Sequence, residues 1–171
     1  MIGIVGYSAH NESGLIVQHL REKLEIPADR HMTIYHYGSG GWDEKLAAGT
    51  WLNGFPQNQS QSGRWQWEVQ SGDLEDWARM EKIRTVILVG STFGWRTAQL
   101  CQRIGVHCFG IPLHAFNPQY EDFANVELNI CINPKVTQNL PYPNKQELPY
   151  PIDNDDQRQL WLMTLQRSLI I

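Results

Sequence analysis

The stretch Thr85-Val86-Ile87-Leu88-Val89-Gly90 is a continuous, β-branched-rich run with no polar alternation. A strand with one wet face alternates. An unbroken run marks a strand covered on both faces, as in a parallel sheet between helical layers. After a break at Ser91-Thr92-Phe93-Gly94, Trp95–Ile104 carries Trp95, Ala98, Leu100, Cys101 and Ile104 at roughly helical spacing, and Gly105 closes that helix. A second buried run, Val106–Ile111, then leads into Pro112-Leu113-His114-Ala115-Phe116-Asn117. Strand, helix and strand at this spacing make a βαβ unit, whose crossover is almost always right-handed. Sheets of such units take ligands at the carboxyl ends of their strands, where Ser91–Gly94 and His114–Asn117 fall.

The same alternation extends along the chain. Ile2–Tyr7 reads as the first strand, and Gly14–Leu24 as a helix with Leu15, Ile16, His19, Leu20 and Leu24 on one face. His31–Tyr37 is a second strand, with Gly38-Ser39-Gly40-Gly41 as the loop after it. Lys45–Leu52 reads as a short helix or a turn. Phe55–Gly72 begins as a polar, low-complexity loop, and Arg64-Trp65-Gln66-Trp67-Glu68-Val69 within it alternates like a short edge strand. Asp73 is placed as the N-cap of a helix carrying Leu74, Trp77 and Met80. Val126–Ile132 is a further strand, Pro134–Leu140 a short helix, Gln146–Pro151 a last short strand and Asp155–Ile170 a final amphipathic helix. These elements predict an α/β fold: one three-layer Rossmann-like domain with a mainly parallel sheet, plus a C-terminal helix packed on it.

Composition excludes several classes. In 171 residues, 42% apolar content with seven Trp rules out a disordered chain. Fourteen Lys+Arg against 18 Asp+Glu, with the bases scattered in sequence, argues against direct nucleic-acid binding. Cys101, Cys108 and Cys131 are odd in number, lack CxxC spacing and sit in apolar runs, so free thiols of a reducing, cytoplasmic setting are expected. Met1 leads straight into a strand, which argues against a signal peptide, and no run approaches the ~20 apolar residues of a membrane span.

The loop Asn11-Glu12-Ser13-Gly14 joins the first strand to its helix, a place where backbone N–H groups favour an anion and glycine permits close approach. An ordinary capped helix makes the same pattern, and neither GxGxxG nor a Walker lysine is present. His114 sits at the ligand edge, where it either caps its loop or meets a ligand. The other histidines show no metal spacing, so no metal is expected, and no GxSxG elbow supplies a nucleophile. Trp65 and Trp67 with Arg64 suit either stacking on a sugar or base, or packing of their own loop.

Taken in order, four segments resemble the N-terminal domain of GT-B glycosyltransferases, the large retaining group that uses sugar nucleotides. They are Ile2–Tyr7 with Ser13-Gly14-Leu15, Val86–Val89 through Trp95 to Ile111-Pro112-Leu113-His114, Asn129–Pro134 with Val136-Thr137, and Leu148-Pro149-Tyr150-Pro151-Ile152-Asp153. The likeness covers most of residues 1–153, leaving 154–171 as a terminal helix of the kind that packs back on the first domain. It implies that Ser13 and Gly14 lie near the donor diphosphate and that His114 lines the cleft against the transferred sugar. It implies no cofactor beyond a sugar nucleotide as donor substrate.

The donor-binding domain of that family has no counterpart in these residues. The first reading is therefore the acceptor-side half of a split enzyme, inactive alone and needing a donor-domain partner chain. A second is a non-catalytic binding or regulatory module that holds a nucleotide or another protein. A third, a self-sufficient small enzyme, has no nucleophile or metal motif behind it. A partner-facing apolar surface is expected from Trp42, Phe93, Trp95, Phe116 and Trp161, giving self-association or a heteromeric complex.

Overall fold

Alternate residues of each central run face opposite helical layers, as unbroken apolar runs require. In the computed structural model, which describes residues 1–34, 43–53, 71–90, 96–113 and 123–166, the chain follows the order β1 (Ile2–Tyr7), α1 (Glu12–Lys23), a 3-10 turn (Ala28–Arg30), β2 (His31–Ile34), α2 (Glu44–Ala47) and β3 (Trp51–Asn53). It continues with α3 (Ser71–Met80), β4 (Thr85–Val89), α4 (Arg96–Arg103), β5 (His107–Ile111), β6 (Leu128–Cys131), α5 (Pro134–Asn139), β7 (Lys145–Glu147) and α6 (Asp155–Gln166). The seven strands form one sheet in the order β3-β2-β1-β4-β5-β6-β7, and every neighbouring pair is parallel. This is a doubly wound, Rossmann-like sheet whose order reverses between β1 and β4.

Each face of the sheet carries its own core. Val5, Val86 and Leu88 pack with Trp77, Leu74, Ala98 and Cys101 of α3 and α4. Ile4, Ile87 and Val89 pack with Ile16, Val17 and Leu20 of α1 and with Trp161 and Leu165 of α6. Close packing on the sheet explains two glycines: a methyl at Gly3 would stand 2.6 Å from the Trp77 ring of α3, and one at Gly110 only 2.3 Å from Phe123 in the β5–β6 connection. Helix ends are closed by backbone hydrogen bonds. The Val106 N–H donates to Cys101 at 2.8 Å while Gly105 takes φ +76°, so the close expected at Gly105 is found.

Several boundaries differ from expectation. Lys45–Leu52 divides into α2 and the start of β3, an edge strand too short to show a period. α3 begins at Ser71, so Asp73 lies in its first turn rather than at its N-cap. The last strand is Lys145–Glu147, followed by an irregular segment through Pro151. Trp161 is fully buried against the domain's own sheet, not a partner-facing aromatic. Trp42, Phe93, Trp95, Phe116, the loop Gly38–Gly41 and the Arg64–Val69 segment lie outside the described residues.

All three cysteines are buried and free. A hydrogen bond with Cys101, with burial second, pushes the Cys108 thiol well above its ordinary range, so it stays protonated. No described helix is long and apolar enough to cross a membrane.

Candidate functional site

The carboxyl edge of the sheet is held by short polar links. Ser8, just past β1, shares a hydrogen bond with Thr33 of β2 (2.9 Å), and Thr33 with Thr50 (2.6 Å). The Asp43 N–H donates to the Ser8 carbonyl at 2.9 Å, and the Asp43 carboxylate meets His10 Nε2 at 2.7 Å. That bond to His10 comes first among the causes holding the Asp43 carboxyl below its ordinary range.

α1 starts from this edge. Asn11 caps it, its Oδ1 accepting the Gly14 N–H at 2.8 Å. Gly14 has a packing reason as well, since a Cβ there would stand 1.9 Å from the Ala9 carbonyl oxygen. Real side chains never approach backbone so closely, so the loop must reshape around any larger residue. Gly14→Ala is expected to cost about 2 kcal/mol in denaturant melts. A melt within experimental error of the parent would show that the loop does not need this contact. Ser13 stands in the same first turn, and its Oγ is buried without a hydrogen-bond partner among the described residues. The first amides of any helix lack acceptors within it, and they, rather than the enclosed Ser13 hydroxyl, are the groups that favour an anion there.

Beside α1, on the face shared with α6, lies an open cleft of about 320 Å³. Glu12, Leu15 and Ile16 of α1 form one wall, and Pro112 and Leu113 at the end of β5 the next. Ile132 and Asn133 beyond β6, with Tyr150 from the β7–α6 connection, complete it. The Asn133 Oδ1 is committed to capping α5 through the Lys135 N–H at 2.9 Å, which leaves Nδ2 as the group it can offer a ligand. Tyr150 is fixed by an edge-to-face contact with His19, ring centroids 5.0 Å apart. His19 Nε2 in turn accepts the Ile152 N–H at 2.9 Å, so its neutral tautomer carries the proton on Nδ1. Burial, with the charge of Lys23 second, lowers its pKa and favours that neutral form. At Tyr150, burial and then the nearby Glu12 carboxylate push the phenol up, so it remains an O–H donor.

The cleft is thus apolar-walled and carries an acceptor (Glu12), a donor (Tyr150) and an amide (Asn133). Among the described residues no Lys or Arg lines it, and a phosphate would find the Glu12 carboxylate in its way. A neutral polyhydroxylated ligand suits these groups better, because sugar hydroxyls both donate and accept while C–H faces pack on apolar walls.

Of the residues named from sequence, Ser13 and Gly14 lie in the first turn of α1 between the lining residues Glu12 and Leu15, but neither lines the cleft. His114 follows the lining residue Leu113 but lies outside the described residues. Tyr150, Asn133 and Leu113 were named in sequence only as members of longer segments, without a site role, and register and folding bring them to Glu12. Among the described residues no cluster of His, Cys, Asp and Glu is arranged to hold a metal.

The chain therefore belongs to the doubly wound parallel α/β class, with a small cleft at the carboxyl edge of its sheet. It matches no protein-family model and no curated protein.

Proposed function

We propose that this domain is the acceptor-side half of a sugar-nucleotide-dependent glycosyltransferase, working against a separate donor-binding chain. The observation that carries the reading is the cleft beside α1, with Glu12, Tyr150 and Asn133 on apolar walls and no cation among its described lining residues. Such a site binds a neutral sugar. The likeness assigns the first turn of α1, which holds Ser13 and Gly14, to the donor diphosphate, and the free N–H groups of a helix start suit an anion. Two negative phosphates beside Glu12 need cations that this cleft does not supply, so the partner chain provides them and the domain alone does not turn over. His114, one residue beyond Leu113, is the side chain assigned to the transferred sugar.

Titration calorimetry with neutral disaccharides such as maltose, cellobiose and sucrose tests the reading. At least one should bind, and Glu12→Gln should weaken it about tenfold, the loss expected for a charge-assisted hydrogen bond. Sugar nucleotides should show no turnover with the isolated chain. Tight nucleotide binding with no saccharide binding would contradict the reading.

A further inference from the structure

Four of the fourteen basic residues converge at the amino edge of the sheet, opposite the cleft. The turn from α3 into β4 and the turn from α4 into β5 run side by side there and leave a groove of about 780 Å³. Arg79, Lys82, Arg84 and Arg103 line it, over a floor that includes Ala78, Ile83 and Val106. Among the described residues its one carboxylate is Glu75. Arg79 is paired with Asp76 at 3.2 Å. Lys82, Arg84 and Arg103 make no ion pair and no side-chain hydrogen bond among the described residues.

Cations in the last turn of a helix answer its dipole, and that accounts for Arg79 and Arg103. It does not account for Lys82 and Arg84, which lie beyond α3. In a chain with more acids than bases, three uncompensated cations around one recessed apolar floor mark a place whose counter-charge comes from outside. The groove's concavity decides the kind of partner. A bilayer would reach only its rim, whereas a peptide can seat an apolar side chain on Ile83 and Val106 while its carboxylates meet the surrounding forks. Met80, largely exposed beside Arg79, adds an adaptable apolar contact at the same edge.

We propose that this groove docks an acidic peptide segment of a partner protein, carboxylates on Lys82, Arg84 and Arg103 and one apolar residue on the floor. The site is independent of the cleft, and the variants below leave saccharide binding unchanged.

Fluorescence anisotropy with a fluorescein-labelled octapeptide of glutamates flanking two central leucines tests it. Saturable micromolar binding at low salt should weaken about tenfold or more in ~0.5 M NaCl, as exposed ion pairs are screened. The double variant Arg84→Glu/Arg103→Glu should abolish it. Lys82→Gly should weaken it several-fold while protecting the fold, because Lys82 holds φ +56° at the helix end where glycine is unstrained. An all-glutamate peptide should bind more weakly than the leucine-bearing one. No saturable binding, or binding indifferent to all three substitutions, would overturn the proposal. So would capture by phosphatidylglycerol vesicles without peptide binding. Salt-sensitive self-association in sedimentation, abolished by the double variant, would also overturn it, since the exposed Asp153, Asp155 and Asp156 of a second copy would then be the occupant.

Discussion

Replacing Trp161 by alanine is expected to destabilise the protein by about 4 kcal/mol, the cost of removing a large buried aromatic that its surroundings cannot refill. The indole is fully buried among Leu148, Ile152, Ile130 and Leu165. Its Nε1–H donates to the Pro149 carbonyl at 2.8 Å, which ties α6 to the segment that delivers Tyr150 to the cleft. Around it, Arg158 donates to the Lys23 carbonyl at 2.8 Å and to Glu25 at 3.0 Å, fastening α6 to the end of α1. Trp161→Phe should cost only about 1–2 kcal/mol, chiefly the unpaired Pro149 carbonyl. Guanidinium unfolding of the two variants separates these terms. A loss below about 1 kcal/mol for alanine would mean that α6 is an appendage rather than part of the core.

The second large effect is a pH dependence of stability centred on His31. This imidazole is almost wholly buried between β1 and α1. Its Nε2–H donates to the Gly6 carbonyl at 3.0 Å, and its Nδ1 accepts from the Arg21 guanidinium at 3.1 Å. Burial lowers its pKa from 6.5 to about 4, the Gly6 bond opposing and the Arg21 charge assisting. Between those two values the unfolded chain binds the proton and the folded one does not. Its contribution is therefore full above pH 6.5 and is lost as pH falls toward 4, by roughly 3 kcal/mol in all. For a chain of this size that is about 6–12 °C in melting temperature. Carboxylates and His19 also respond to acid, so the comparison that isolates His31 is with His31→Gln. A glutamine amide can donate to Gly6 and accept from Arg21 without titrating. The glutamine variant should melt at a temperature much less sensitive to pH between 6.5 and 4. Parallel curves for parent and variant would remove His31 from the account.

The parts of this fold that could be read in advance are those whose physics is local. β1, β4 and β5 are continuous apolar runs because both faces of the sheet are covered, and nothing else in a chain of this composition looks like them. β3 was hidden because Trp51-Leu52-Asn53 is too short for any period. Trp161 shows why an aromatic on an amphipathic helix is ambiguous: its spacing says that it is buried, but not against which surface. The cleft was legible only in outline. The strand ends named the edge, yet Glu12 and Tyr150 meet through the order of seven strands and the return of the chain along α1, which no local pattern encodes. The basic groove has the same origin. Arg79 and Arg103 end α3 and α4, Lys82 and Arg84 follow α3, and the two helix ends neighbour each other only because β4 and β5 pair.

We propose that the carboxyl-edge cleft receives a neutral sugar. Amide chemical-shift mapping by NMR, with the neutral disaccharide panel and a nucleoside diphosphate titrated separately into the isolated protein, tests it most directly. Saccharide-induced shifts are expected to be confined to Glu12, Leu15, Leu113, Asn133 and Tyr150, with little response there to the nucleotide alone. Saccharide shifts at the amino edge or nowhere, with the nucleotide perturbing the cleft, would contradict it.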